Sequence, residues 1–192
     1  MRPVPSSIVA KLPKAADLIA EQGLDQTKIE ELSDATGIPK ATLYYYFAGK
    51  EEILAFLLRD LLIHVADAVA IALEADGSAS DRLGAVIRAQ FQVMAEQPSV
   101  WRALIADLGR AGRMPEIAER VAEAYLMPVE RLLGEGADDG SMRAVADPQA
   151  VARAVFGAAT VVALHSFMAG EPIDARRMSE GVTEFVLHGV AA

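Results

Sequence analysis

The chain has 192 residues, 53% of them hydrophobic, which is enough to bury a sizeable core as one domain or as a small domain joined to a larger one. It contains no cysteine, so disulfides, thiolate metal sites and cysteine nucleophiles are excluded. The formal net charge of −9 argues at first against nucleic acid as a partner, but residues 1–59 hold seven Lys or Arg against eight Asp or Glu, and residues 60–192 hold eleven against nineteen.

The first residues, MRPVPSSIVAK, lack the long apolar run of a signal peptide. The longest apolar run, Ala154 to Leu164, has eleven residues where a bilayer needs roughly 20. These features lead us to expect a soluble, cytoplasmic protein with no membrane partner.

Helical patterns recur along the whole chain. Leu12, Ala15, Ala16, Ile19 and Ala20 form an apolar face that ends at Gly23. Pro13 either starts this helix, leaving Ser6 to Leu12 as an arm, or kinks it. Thr27 to Lys50 then reads as two short helices joined by a tight turn. Thr27 suits the N-cap of the first, with Glu30 closing a capping box, and Ile29, Leu32 and Ala35 give it one buried stripe. Gly37 sits where a left-handed C-terminal cap is wanted, and Pro39 suits the first turn of the next helix. That second helix offers Leu43 to the core and turns Lys40, Thr42, Tyr44 and Tyr45 outward. A helix-turn-helix of this kind places its second helix in the DNA major groove.

From Lys50 about 25 residues are apolar nearly all round, as in a helix buried on several sides. Gly77 to Ser80 breaks it. A helix from Asp81 to Gln97 follows, and Pro98 starts another that ends near Gly109 to Gly112. Pro115 opens a helix to about Gly134, interrupted by Pro128, and the run GEGADDGSM reads as a loop. Asp147 and Pro148 begin a long apolar helix to about Gly170, and a last helix spans Asp174 to Gly189. The expected fold is therefore all-α with about nine helices: an N-terminal three-helix helix-turn-helix domain and a C-terminal helical bundle.

Each outward residue of the helix-turn-helix has a chemistry suited to DNA. Lys40 reaches a phosphate or a guanine edge, and Thr42 a phosphate or a thymine methyl. Tyr44 and Tyr45, about 100° apart on the helix, have hydroxyls that suit phosphate oxygens. Thr27 and Lys28 are placed to grip the phosphate across the groove, and Lys50 starts the connector helix where a phosphate is favoured. Pro39 and Ala41 complete the expected DNA face, while Tyr46 and Phe47 read as core.

The stretch GIPKATLYYYFAGKEEIL resembles the recognition helix and fourth-helix entry of the tetracycline-repressor (TetR) family of bacterial regulators. The family pattern is met by Ile38, Lys40, Ala41, Thr42, Leu43, Tyr44, Tyr46, Phe47 and Lys50, with Gly23, Thr27, Ile29, Leu32 and Gly37 in register upstream. Pro39 stands where many members carry Ser. The resemblance implies a DNA-binding domain over 1–50, with its motif at about 28–47, and a ligand-binding and dimerisation domain over 51–192. It implies a ligand-responsive repressor that binds a pseudo-palindromic operator in double-stranded DNA as a homodimer and is released by a hydrophobic small molecule.

The same resemblance implies a four-helix dimer bundle from the last two helices, carried here by Ala154, Gly157, Ala158, Val161, Val182, Phe185 and Val186; on the residues alone, ordinary core is the alternative. Phe91, Met94, Trp101, Leu104, Leu108, Tyr125, Met127 and Phe167 are candidates for lining the effector cavity, or for plain core. His64, His165 and His188 are too scattered for a metal site and read as core histidines. We expect no metal and no cofactor. Two other readings stay open: a helix-turn-helix used for protein contacts, and an all-α enzyme on a hydrophobic substrate. The enzyme is disfavoured because no Ser-His-Asp set, HExxH or glycine-rich phosphate loop is present, which leaves only single acids such as Asp107 and Glu96.

Overall fold

The computed structural model describes residues 3–106 and 115–190, and all regular structure among them is helical. The helices are α1 (Ser6–Val9), α2 (Pro13–Gln22), α3 (Ile29–Thr36), α4 (Lys40–Tyr46), α5 (Lys50–Leu73), α6 (Ala79–Glu96), α7 (Pro98–Ala106), α8 (Pro115–Val121), α9 (Met127–Asp139), α10 (Pro148–Ala169) and α11 (Ala175–Val190). A π-helical segment, Ala122–Leu126, joins α8 to α9. Counting α8 to α9 as one rod and setting aside the single turn of α1, the described residues form nine helices, as expected.

The chain divides into two compact units. One comprises residues 1–61 and 97–117, the other residues 62–96 and 118–192. The expected functional boundary at residue 50 thus falls inside the first unit, which also takes in the start of α5 and all of α7.

In the first unit, Pro13 settles the choice left by the sequence. It occupies the first position of α2, where a missing N–H costs nothing, and Ser6–Val9 forms a separate turn ahead of it and not an open arm. Leu12, Ala15, Ala16 and Ile19 are buried, and α2 packs on α7. There the Ser99 hydroxyl donates to Asp17, and Arg102 lies 3.8 Å from the same carboxylate. Trp101 and Val100 on α7 complete this core.

In the second unit α6 is central, packing on α9, α10 and α11. Asp139, at the end of α9, accepts the Ala79 N–H (2.8 Å), and Ser141 accepts the Ser80 N–H (3.2 Å), so the start of α6 is capped from a distant part of the chain. Pro128 lacks the N–H that an unbroken α-helix would use. The turn before it widens accordingly, and the Met127 N–H reaches back to the Ala122 carbonyl.

The run GEGADDGSM departs from expectation. Gly134 to Asp139 remain helical, and the helix ends only at Gly140, whose φ of 77° provides the left-handed cap. Gly136 is buried and leaves room for Met142, which folds back so that its N–H meets the Gly136 carbonyl (2.9 Å). This glycine serves close packing, not flexibility. Helix α10 is also longer than its apolar core run. Asp147 caps its start by accepting the Ala150 N–H (2.9 Å), and Gly170 caps its end. With 22 residues and a mean hydropathy of 1.5 over 18 of them, it is long and apolar enough to cross a membrane, and only 28% of that window is buried.

Candidate nucleic-acid interface and effector unit

The helix-turn-helix lies wholly in the first unit. Gly37, with φ 64° and ψ 25°, makes the turn between α3 and α4. The turn is fixed by local hydrogen bonds: the Ser33 hydroxyl donates to the Ile38 carbonyl (2.7 Å), and the Thr36 hydroxyl to that of Leu32 (2.6 Å). Leu32, Ile38, Leu43 and Phe47 are buried beneath it. Tyr46 is half-buried, its ring edge-to-face with Tyr45 at 4.9 Å. On the outer side Pro39, Lys40, Ala41, Tyr44 and Tyr45 are exposed and Thr42 is half-buried, so α4 presents one continuous face to solvent.

Several expected contacts take another form. The cap of α3 is shifted by one residue: Glu31, not Glu30, accepts the N–H of Lys28 (2.8 Å). Thr27 is buried, and its hydroxyl donates to the Gly23 carbonyl (2.8 Å), so its side chain does not reach the surface as a phosphate grip. The Lys50 ammonium donates to the carbonyls of Asp25 and Thr27 (2.9 Å each), which pins the loop before α3 to the start of α5. Lys28 is exposed as expected.

Glu30, freed from capping, pairs with Lys40, whose ammonium also lies 5.9 Å from the Tyr44 ring centre. The hydrogen bond between the two holds the Glu30 carboxyl below its ordinary pKa and the Lys40 ammonium above its own. Sequence reasoning missed this pair, although two opposite charges ten residues apart across a tight turn were its available signal.

The expected effector residues fall into separate groups. Phe91, Met94 and Tyr125 are fully buried in the second unit, Phe167 is half-buried there, and Met127 is exposed and lines nothing inside. Trp101 and Leu104 belong to the first unit, where Trp101 is buried and its indole N–H lacks a partner among the described residues. Leu108 and Asp107 lie outside the described residues. Glu96 is exposed, as are His64, His165 and His188, which corrects their reading as core; no cluster of metal-ligating side chains occurs among the described residues.

Of the expected dimer residues, Ala154, Val161 and Phe185 are exposed, and Gly157 and Ala158 are half-buried. Val182 and Val186 are instead buried within the unit, because α11 turns that stripe inward as it packs on α6 and α10. Val161 is 62% exposed, Phe185 72% and Met168 79%. Two open grooves lie along this face. One of about 800 Å³ is lined by Ala158, Val162, His165, Arg177, Met178 and Phe185 among others, and one of about 380 Å³ by Val151, Ala154, Val155, Phe185 and Val186 with Arg143 and His188.

Residues 12–56 match the family model for bacterial regulatory proteins of the tetR family, and residues 76–190 match that for the tetracyclin repressor-like C-terminal domain. The chain is 23% identical to the fatty acid metabolism regulator protein of Bacillus subtilis over 179 residues, covering 92% of this chain and 91% of that one. It is 26% identical to the transcriptional repressor KstR2 of Mycolicibacterium smegmatis over 179 residues, 92% and 86% of the two chains. Among solved structures, the regulator FadR of Bacillus subtilis in complex with stearoyl-CoA superposes with a TM-score of 0.79 at 21% identity, covering 94% of this chain and 97% of that one. The two family models together span most of the sequence. The chain belongs to the TetR family of bacterial transcriptional regulators, and so is a DNA-binding regulator by family and not an enzyme.

Proposed function

We propose that this chain is a dimeric repressor that reads a pseudo-palindromic operator through α4 and is released when a hydrophobic small molecule binds its second unit. The observation that carries the reading is the α4 face. Lys40, Tyr44 and Tyr45 stand outward on a helix fixed to α3 by Gly37 and by the Ser33 and Thr36 hydrogen bonds, with Thr42 beside them. Lys28, Pro39 and Ala41 border that face. Lys50 acts from behind it by holding the loop that leads into α3, and Thr27 acts through its backbone.

A single short helix reads only a few base pairs, so dimerisation belongs to the same proposal. Two α4 helices about 34–36 Å apart reach successive major grooves. The exposed part of α10, with Val161, Met168 and Phe185 of α11, is the surface a second copy would cover, and leaving so apolar a face bare is costly in a soluble protein. The functional division at residue 50 follows from these roles. A hydrophobic effector is supported by the aromatic and apolar core of the second unit, where Phe91, Met94 and Tyr125 are buried, and by the stearoyl-CoA held by the FadR neighbour. A cytoplasmic location follows from the DNA partner.

One observation favours a second reading. Both cations of the recognition segment, Lys40 and Lys50, are engaged within the head, as a module for protein contacts would allow. Affinity for operator DNA separates the two. Lys40→Ala should weaken specific binding by about 1–3 kcal/mol if it reads a base, and Tyr44→Ala should weaken it while the far-UV circular dichroism is unchanged. Unaltered operator affinity in both variants contradicts the proposed face.

A further inference from the structure

Among the described residues, three buried side-chain atoms of the second unit lack a hydrogen-bond partner: Arg82 Nε, at the edge of an ion pair with Glu135, and, away from any charge, Gln90 Oε1 and the Tyr125 hydroxyl. The Tyr125 side chain is fully buried, 0% exposed, and its hydroxyl has no hydrogen-bond partner among the described residues. Gln90, on α6, is 1% exposed, and its Oε1 is likewise unpartnered. Both meet at Phe156 of α10. The Tyr125 ring packs edge-to-face on the Phe156 ring at 5.3 Å, and the Gln90 Nε2 points at the Phe156 carbonyl at 3.5 Å. That carbonyl fixes which way round the amide sits, because a flipped amide would set two acceptors against each other. Gln90 thus keeps a buried acceptor, and Tyr125 a buried O–H, beside the same residue, Phe156.

A fold has cheap ways to avoid this. Phenylalanine and leucine are near in shape, and each buried polar atom left unpaired in a native structure calls for an explanation. Tyr125 lies in the π-helical segment Ala122–Leu126, the turn that Pro128 widens. Burial alone pushes its phenol pKa up, so it stays a donor across the physiological range.

We propose that Gln90 and Tyr125 are the polar anchor of the effector site, and that the effector is an apolar molecule bearing a hydroxyl. The ligand oxygen accepts from the Tyr125 O–H, and the ligand O–H donates to Gln90 Oε1. An ether oxygen, or an ester or thioester carbonyl, accepts but does not donate, and so satisfies only half of the pair. This rests on the effector reading above and narrows its chemistry: apolar contacts supply affinity, and the hydroxyl supplies selection.

The test uses the full-length protein and two readouts. Without ligand, Tyr125→Phe and Gln90→Leu should each hold or raise the midpoint of thermal unfolding, by about 2 °C or more where the unpaired atom is costly. A lowered midpoint in both would mean that a bound water or other fixed partner already satisfies these groups, and the proposal fails. Calorimetry then compares probes with and without the O–H: 1-decanol against decyl methyl ether, which keeps the oxygen but cannot donate, and 2-naphthol against naphthalene, which lacks the oxygen. In the wild type at least one hydroxylated probe should bind roughly ten- to hundred-fold tighter than its partner, and Tyr125→Phe and Gln90→Leu should abolish that preference. Equal binding within both pairs, a preference that survives both substitutions, or no binding of any probe overturns the assignment. A hydroxylated probe that binds as described but leaves operator affinity unchanged refutes the effector reading and keeps the site.

Discussion

Replacing Gly134 and Gly136 separately with alanine puts the same methyl group on one helix in opposite surroundings. Both residues lie inside α9, so each substitution gains the same helix preference, about 1 kcal/mol. At Gly134 an added Cβ meets nothing within 4 Å and points to solvent, so Gly134→Ala should stabilise by about that amount. At Gly136 the Cβ would lie 3.0 Å from Met142 Cβ and 3.1 Å from Cγ, with Cε closer still. The methionine tip can swing away, but its Cβ is tied to a backbone whose N–H is bonded to Gly136 itself. Overpacking of this kind costs about 1–3 kcal/mol. The preference for helix is common to both variants, so the difference between them isolates the contact, again about 1–3 kcal/mol. Urea unfolding midpoints at unchanged m-value measure it. Equal midpoints for the two variants would refute the packing argument, and a neutral Gly134→Ala would refute the helix there.

Glu30→Gln should release Lys40 to the phosphates. Operator and random DNA should then both bind more tightly, with the slope of log K against log salt steeper by about 0.9, as one added phosphate contact requires; an unchanged or shallower slope contradicts the competition. Ala158→Glu sets a charge on the apolar α10 face; if the proposed dimer forms there, the variant should sediment as a monomer without loss of helicity while the wild type sediments as a dimer, and a variant that stays dimeric places the interface elsewhere. Asp139 has its carboxyl pKa lowered by hydrogen bonds from Ser141 and Ala79. Its contribution is therefore present above the unfolded value of about 3.9 and lost as pH falls through the lower folded value. The stability gap between wild type and Asp139→Ala should be constant near neutrality and shrink below about pH 4; a gap unchanged by acid rules out this linkage.

What the sequence made legible was local. Gly37, Pro39 and Leu43 act within a few residues of themselves, so the turn and the buried side of α4 could be read directly. Pro13 and Asp147 mark helix starts for the same reason. Errors arose where a partner is distant. Lys50 looked free because the carbonyls it holds lie 23 and 25 residues away. The run around Gly136 reads as a loop because the residue that packs on it, Met142, lies beyond the helix cap. The apolar residues of α11 read as a single stripe, which does not say which neighbour each one meets, so Val182 and Val186 are grouped with Phe185 at the dimer face although they pack inside the unit. Gln90 is not legible in the sequence, since a single glutamine in an amphipathic helix carries no signal until its burial is known.

In the proposed function, two copies of the α4 face read one DNA site. Fluorescence anisotropy of the purified protein on fragments of the DNA upstream of its own gene, across a salt series with random DNA as competitor, tests it most directly. Tight, competitor-resistant and salt-dependent binding to one fragment is expected, saturating at two protomers per site. Binding no tighter than to random DNA on every fragment, or saturation at one protomer, would contradict it.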